Sequence, residues 1–129
     1  VATQLVKKLS SQKIHIDEAK ILVLGFTFKG DCPDVRNTKI IDIINELKDF
    51  NMSVDVYDNW AESAVVEHEY GLSLISSLKE SQYDGIVLAV DHSEFKNMGI
   101  EFIRKLGKSN HVLYDVKHVF GPKDSDIRL

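Results

Sequence analysis

Two continuous aliphatic runs constrain the fold of this chain more than any other feature. The first is Ile21 to Leu24, which ends at Gly25, and the second is Gly85 to Val90. A strand with one solvated face alternates apolar and polar residues, whereas uninterrupted runs are typical of strands buried on both faces. Such burial arises when helices connect parallel strands and cover the sheet on both sides. The two runs therefore predict a parallel α/β sheet.

Helical and extended patterns alternate along the chain. The predicted strands are Ile21 to Leu24, Val54 to Tyr57, Leu72 to Ile75, Gly85 to Val90 and Val112 to Val116. The predicted helices are Val1 to Leu9, Thr38 to Phe50, Ala61 to Tyr70, Ser77 to Glu80 and Ser93 to Leu106. This alternation predicts a single doubly wound, Rossmann-like domain with a five-stranded parallel sheet and a tail from near Phe120. Right-handed crossovers favour the strand order 3-2-1-4-5.

Composition excludes several classes of protein. With 129 residues, 43% of them hydrophobic, the chain has the size of one compact domain. Its formal net charge of -4 provides no basic field for nucleic acid or anionic lipid. The single cysteine, Cys32, excludes an intramolecular disulfide and a cysteine-built zinc cluster. Because neither a signal peptide nor an apolar run of membrane-spanning length is present, we expect a cytoplasmic protein.

The predicted topology places two lysines at one edge of the sheet. In a doubly wound sheet, ligands bind beyond the carboxyl ends of the strands, where the winding reverses. Lys29 follows the first strand and Lys117 follows the last. Although a lysine at a strand end is usually a solvated charge, two cations near a helix N-terminus suit a diphosphate or a carboxylate. We therefore expect an anion site at this edge.

The connection from Gly25 to Thr38 has fourteen residues, which is long for a link between a strand and a helix and indicates function. Asp34 and Arg36 are placed to pair and hold the loop, and either Asn37 or Thr38 is placed to cap the following helix. Scaffolding is the favoured role for the Asp34–Arg36 pair. The connection lacks the three glycines of a dinucleotide fingerprint and the Lys-Ser/Thr step of a P-loop.

The same segment reads GFTFKGDCPDVRNT. It resembles the UDP-binding C-terminal domain of the UDP-glucose/GDP-mannose dehydrogenase family, whose pattern is Gly-x-x-Phe-Lys, four residues, then Asp-x-Arg-x-Ser. Thr38 replaces the final serine and keeps its hydroxyl. The likeness extends through Val56 to Asp58, Leu88 to Phe95 and Tyr114 to Lys117. The residues from Cys32 to Lys39, together with Ala89 to His92, are most similar to the branch of UDP-N-acetylhexosamine (GalNAc/GlcNAc) 6-dehydrogenases of surface polysaccharide biosynthesis.

The resemblance implies an enzyme that oxidises the sugar C6 alcohol to a carboxylate through a thiohemiacetal on a cysteine, with two NAD⁺ reduced. The family binds NAD in an N-terminal domain of the same polypeptide and carries its catalytic cysteine outside the present domain. Residues 1–12 would be the end of the inter-domain helix and residues 13–129 the UDP-binding domain. We therefore expect this chain alone to be inactive and to bind no cofactor, and we expect the full-length enzyme to form a homodimer.

The resemblance also assigns site residues. Phe28 and Lys29 would contact the sugar nucleotide, and Lys117 would supply a second cation where several relatives have arginine. His92 would form part of the cleft wall where UDP-glucose members tend to have tryptophan, or alternatively cap the helix that begins near Ser93. The expected loop scaffold is Gly25, Asp34, Arg36 and Thr38.

The remaining reactive residues carry no predicted catalytic role. Cys32 lies inside the Phe-Lys loop with no activating base nearby in sequence, so we expect a packed or solvent-facing thiol. Trp60 is expected to pack rather than to stack on a base. The other histidines lack metal-ligand spacing, which predicts no metal site. They are His15, His68, His111 and His118.

Two alternatives come from other classes of protein. A signalling receiver domain is also a five-stranded α/β unit with a lysine after the last strand. It requires carboxylates after the first and third strands, where this chain has Gly-Phe-Thr-Phe and Leu-Ile-Ser-Ser. A purely structural domain that supports a dimer is the second alternative.

Overall fold

The computed structural model describes residues 1–129 as a parallel sheet with helices on both faces. The helices are α1 (Ala2–Ser11), α2 (Ile40–Asp49), α3 (Ser63–Tyr70), α4 (Ser93–Met98) and α5 (Ile100–Leu106). The strands are β1 (Lys20–Leu24), β2 (Ser53–Tyr57), β3 (Tyr83–Leu88), β4 (Gly107–Asp115) and β5 (Ile127–Arg128). All neighbours pair in parallel, in the order β2-β1-β3-β4-β5. The predicted doubly wound α/β class is confirmed.

The two aliphatic runs form the centre of this sheet because each of their side chains finds a helix to pack against. Ile21 and Val23 belong to the larger core cluster, together with the buried residues of α1, α2 and α3. Leu22 and Leu24 belong to the other cluster, together with those of α4 and α5. Successive side chains of β1 therefore point to opposite faces of the sheet and pack in two separate core clusters. This two-sided burial explains the absence of polar residues from Ile21 to Leu24.

The predicted strand at Leu72 to Ile75 is wrong. This segment runs beside β2, the expected neighbour, but makes one backbone hydrogen bond to it, from Ile75 N to Val56 O at 2.9 Å. The predicted helix from Ser77 to Glu80 is also wrong. Four residues form too few backbone bonds to offset helix nucleation, even with capping-box spacing. The fifth strand comes instead from the predicted tail, as β5 beside β4.

The helix predicted from Ser93 to Leu106 is divided into α4 and α5. Gly99 separates them with φ 85° and ψ 154°, far from helical values. Gly71 ends α3 with φ 66°, as the sequence indicated. None of the helices combines the length and hydrophobicity that a membrane crossing requires.

Candidate functional site

The carboxyl ends of β1 and β3 are joined by a close backbone contact at Gly25. Its φ is +102°, a conformation that side chains disfavour, and a Cβ there would lie 2.5 Å from Val90 Cβ. The amide of Gly25 donates to Tyr57 O at 2.9 Å, so the residue also continues the pairing with β2. A glycine at this position lets the chain turn out of the sheet into the long connection.

The connection from Gly25 to Thr38 is held by its own backbone and by short side chains. Phe28 N donates to Asp34 O at 2.7 Å, which closes the central part of the loop. Thr38 Oγ1 donates to Phe26 O at 2.6 Å and accepts from the backbone amide of Ile40 at 3.2 Å. The threonine therefore joins the start of the loop to the start of α2.

Asp34 and Arg36 form an ion pair on the outside of this loop. Arg36 Nε lies 3.1 Å from Asp34 Oδ1, and the Arg36 amide donates to the same oxygen at 2.8 Å. The hydrogen bond from Arg36 lowers the pKa of Asp34, and the charge of Lys29 contributes in the same direction. The guanidinium is largely exposed, so the pair shapes the loop more than it stabilises the fold.

Lys29 and Phe28 lie at the surface of the loop. Phe28 is 55% exposed, an unusual position for a large apolar side chain. Lys29 is exposed and forms no ion pair. Lys117, also exposed and without an ion pair, follows β4 at the same edge of the sheet. One strand separates β1 from β4, so the two strand ends are about 10 Å apart.

Asp58, the residue after β2, organises the backbone beneath this edge. Its side chain is 0% exposed, and its two oxygens accept five hydrogen bonds of 2.6 to 3.1 Å. The donors are the backbone amides of Phe26, Thr27, Trp60 and Ala61 and the imidazole of His92. Burial raises the pKa of Asp58, but the hydrogen bonds from His92 and the amides outweigh this effect and lower it overall.

His92 lies inside this network rather than on the surface of the cleft. Its side chain is 0% exposed, with Nε2 2.9 Å from Asp58 Oδ2 and Nδ1 2.9 Å from the amide nitrogen of Asp31. Its backbone precedes α4, but its side chain makes no capping hydrogen bond. A direct contact between His92 and a ligand stays a prediction, and in this geometry both ring nitrogens are already engaged by protein atoms.

Asp58 and Asp31 hold the site together although no sequence pattern singled them out as site residues. Asp31 accepts from the Ser93 amide at 2.8 Å and from the Ser93 hydroxyl, which joins the loop to α4. A signal for Asp58 was available, because an acidic residue after the second strand is where dinucleotide-binding folds hold a ribose. Here that carboxylate is buried and already accepts hydrogen bonds from four backbone amides and from His92. The residues of this domain therefore do not fit a dinucleotide, since the glycine fingerprint is also absent.

Two open cavities flank the connection. One of about 770 Å³ lies between the loop and α4, and one of about 410 Å³ lies between the loop and the start of α3. Trp60 lines the first and is 43% exposed, with its ring stacked on His92 at a centroid distance of 6.1 Å. Cys32 lines the second as a half-buried free thiol. No group of three or more His, Cys, Asp or Glu side chains is arranged to hold a metal ion.

Comparison with known proteins decides which family this arrangement represents. Residues 22–122 match the UDP-glucose/GDP-mannose dehydrogenase family, UDP binding domain. The chain belongs to this family. The matched range includes the whole Gly25 to Thr38 connection, Asp58, His92 and Lys117, so the residues at the carboxyl edge all lie within the family domain.

Relatives of this UDP-binding domain are larger proteins. The chain is 52% identical over its whole length to UDP-N-acetyl-D-glucosamine 6-dehydrogenase of Pseudomonas aeruginosa, and it covers 31% of that protein. It is 46% identical to the Salmonella typhi enzyme of the same name, covering 30% of it. A solved UDP-D-ManNAc dehydrogenase from Pyrococcus horikoshii superposes with TM-score 0.73 at 26% identity, over 94% of this chain and 27% of the other. The domain thus spans about a third of the length of these relatives.

Proposed function

We propose that this domain binds the UDP moiety of the substrate in an NAD-dependent UDP-N-acetylhexosamine 6-dehydrogenase. Support comes from family membership and from relatives named as UDP-N-acetyl-D-glucosamine 6-dehydrogenases at 52% and 46% identity. In the complete enzyme the sugar C6 alcohol is oxidised to a carboxylate for polysaccharide biosynthesis. NAD⁺, when bound by the N-terminal part of the polypeptide, would accept one hydride in each of two successive oxidations, so that two NAD⁺ are reduced and water supplies the second carboxylate oxygen.

The observation that carries the proposal is the state of Lys29. The Gly25 to Thr38 loop is held by internal hydrogen bonds. It exposes the Lys29 ammonium, which forms no ion pair with a carboxylate of the domain. Asp34, whose pKa the charge of Lys29 helps to lower, is already paired with Arg36. A cation free of internal partners is available for a phosphate oxygen. Lys117 at the same edge provides a second point charge for the diphosphate.

Phe28 gives this surface an apolar element beside the cation. A side chain that is 55% exposed next to Lys29 suits contact with the flat or apolar parts of a nucleotide sugar. Neither Phe28 nor Lys29 lines one of the two cavities beside the loop. We therefore place the UDP on an open surface that the rest of the polypeptide covers.

The proposal also states where the other parts of the full-length enzyme lie along the polypeptide. Residues 1–12, which contain α1 and pack on the sheet through Leu5 and Leu9, are the end of the helix that leads from the rest of the enzyme. The catalytic cysteine and the NAD site belong to that part, and the enzyme acts as a cytoplasmic homodimer.

The test is Lys29→Ala in the full-length enzyme. Losing a charged hydrogen bond to phosphate should weaken UDP-sugar binding by about 1.5 to 3 kcal/mol, a rise of at least tenfold in KM. Lys48→Ala is the matched control, because Lys48 is also exposed but lies in the last turn of α2. KM is measured with UDP-N-acetylglucosamine at saturating NAD⁺. Equal KM values for the two variants would remove Lys29 from the binding site.

A further inference from the structure

The hydrogen bonds of His92 determine where its ring proton lies. The backbone amide of Asp31 donates to Nδ1 at 2.9 Å, so this nitrogen accepts. The proton is therefore on Nε2, which faces Asp58 Oδ2 at 2.9 Å and Thr27 Oγ1 at 3.2 Å. Thr27 Oγ1 donates its own proton to Lys29 O at 2.9 Å and is left as an acceptor toward the ring. One neutral tautomer satisfies all of these bonds.

These contacts reach the loop on both sides of Lys29. On the amino-terminal side, Thr27 connects Nε2 to the carbonyl of Lys29. On the carboxyl-terminal side, the amide of Asp31 meets Nδ1. Asp58 in turn fixes the ring from below and holds the amide of Thr27 at 3.1 Å. The buried imidazole of His92 thus forms hydrogen bonds at both ends of the segment from Thr27 to Asp31, and Lys29 is the middle residue of that segment.

The ring is itself fixed by its neighbours. Phe95 packs against it with a centroid distance of 5.4 Å, and Trp60 stacks on it at 6.1 Å with an interplanar angle of 25°. Its side chain has no exposed surface. Contact with a ligand is therefore not required for His92 to affect binding, because any shift of the ring is transmitted to Thr27 and Asp31.

We propose that His92 is a positioning residue: it holds the backbone on both sides of Lys29 and thereby sets where the ammonium meets the diphosphate of the substrate. The inference rests on the proposed function, since it assigns Lys29 the contact with the nucleotide. In this proposal His92 does not line the cleft, as expected from the resemblance, but affects binding through the backbone of the loop.

A double-mutant cycle in the full-length enzyme tests this inference with Lys29→Ala, His92→Phe and the double variant. Phenylalanine keeps an aromatic ring on the same Cβ but has no nitrogen. His92→Phe should raise KM for UDP-N-acetylglucosamine about tenfold with kcat within about twofold, as expected for lost ground-state binding. If His92 acts through Lys29, the double variant should have a KM within about twofold of Lys29→Ala alone.

His111→Phe is the matched control. Both ring nitrogens of His111 are also engaged, by Lys108 O at 2.6 Å and Arg104 Nη1 at 3.2 Å, but it lies in the middle of β4, away from the carboxyl end of that strand. Its replacement should lower the Tm without raising KM. A rise in KM for His111→Phe equal to that of His92→Phe would show that loss of a bonded histidine acts only through general destabilisation, which would overturn the proposal.

The outcomes separate the two proposals. If Lys29→Ala leaves KM unchanged, the proposed function of the loop fails. If Lys29→Ala raises KM but His92→Phe does not, or if the two effects multiply in the double variant, only the positioning role fails. If His92→Phe does not fold, the same cycle uses His92→Asn, which keeps an acceptor for the Asp31 amide. Multiplying effects in that cycle would reject the positioning role equally.

Discussion

Replacing Gly25 by alanine would test the close contact between β1 and β3 on which the site is built. The new Cβ would lie 2.5 Å from Val90 Cβ, 2.7 Å from Val90 Cγ2 and 2.9 Å from Val90 N. Backbone and a β-branched side chain in a buried segment cannot move aside without disturbing the sheet. Because φ is +102°, alanine would also strain the backbone itself. Two separate costs are therefore combined at this residue.

Each cost has a known scale. A left-handed backbone costs an alanine roughly 1 kcal/mol relative to glycine. Forcing one extra carbon into a filled space costs about 1 to 3 kcal/mol. Gly25→Ala should therefore lower the free energy of unfolding by about 3 kcal/mol, a large fraction of the stability of a small domain.

Gly71→Ala separates the two terms. Gly71 has φ +66°, but a Cβ there would meet no atom within 4 Å. We expect this variant to lose only about 1 kcal/mol. The assay is urea unfolding of both variants and the wild-type chain, with the midpoint and slope fitted together. Equal losses at the two glycines, or a neutral Gly25→Ala, would refute the argument from steric overlap.

Two further predictions concern ionisable groups. Asp58→Asn should cost about 3 kcal/mol at pH 7, because asparagine has only one accepting oxygen and its NH₂ group would face the donors that now bind the second oxygen. The pKa of Asp58 is lowered in the folded state, so its contribution is complete above the unfolded pKa and disappears as the pH falls from about 4; urea midpoints that stay equally far apart in acid would contradict this. Burial and the hydrogen bond to Asp55 raise the pKa of Tyr83, and burial raises the pKa values of Tyr57 and Tyr114 as well. Tyr83→Phe should therefore reduce the late phase of an alkaline ultraviolet titration by the amplitude of one phenol, and an unchanged amplitude would contradict this.

The central part of the fold could be predicted because its pattern is local. Ile21 to Leu24 and Gly85 to Val90 are apolar at every position or nearly so, and helices follow both. The edges were harder, because their strands are short and polar. Leu72 to Ile75 has the composition of a strand but one backbone bond to β2. Ile127 and Arg128 form β5 only because tertiary contacts place them beside β4.

The tail illustrates what a sequence pattern does not contain. Asp126 Oδ2 accepts from Arg104 Nη1 at 2.7 Å and from the amide of Leu113 at 2.8 Å, which fixes the chain just before β5. These partners are 22 and 13 positions away. No periodicity links residues at such separations, so the strand could be found only in three dimensions.

The same limit applies to the candidate site. The Phe28–Lys29 pair was predicted from its motif and its place after β1. The pairing of Asp58 with His92 was not, since 34 positions separate them and neither residue is unusual where it stands. Their burial depends on the convergence of three strand ends, which the topology provides and the local sequence does not.

The hydrogen bonds within the Gly25 to Thr38 loop have a consequence for how tightly the proposed anion would bind. A flexible loop must lose conformational entropy when its ligand arrives, and this loss weakens the affinity. Here the bonds of Phe28, Thr38 and His92 restrict the loop in the free protein. The entropy of ordering is thus lost during folding, before any encounter. At the proposed site, binding would be the docking of a phosphate onto a preorganised backbone, in which the exposed side chains of Phe28, Lys29 and Lys117 remain to be ordered.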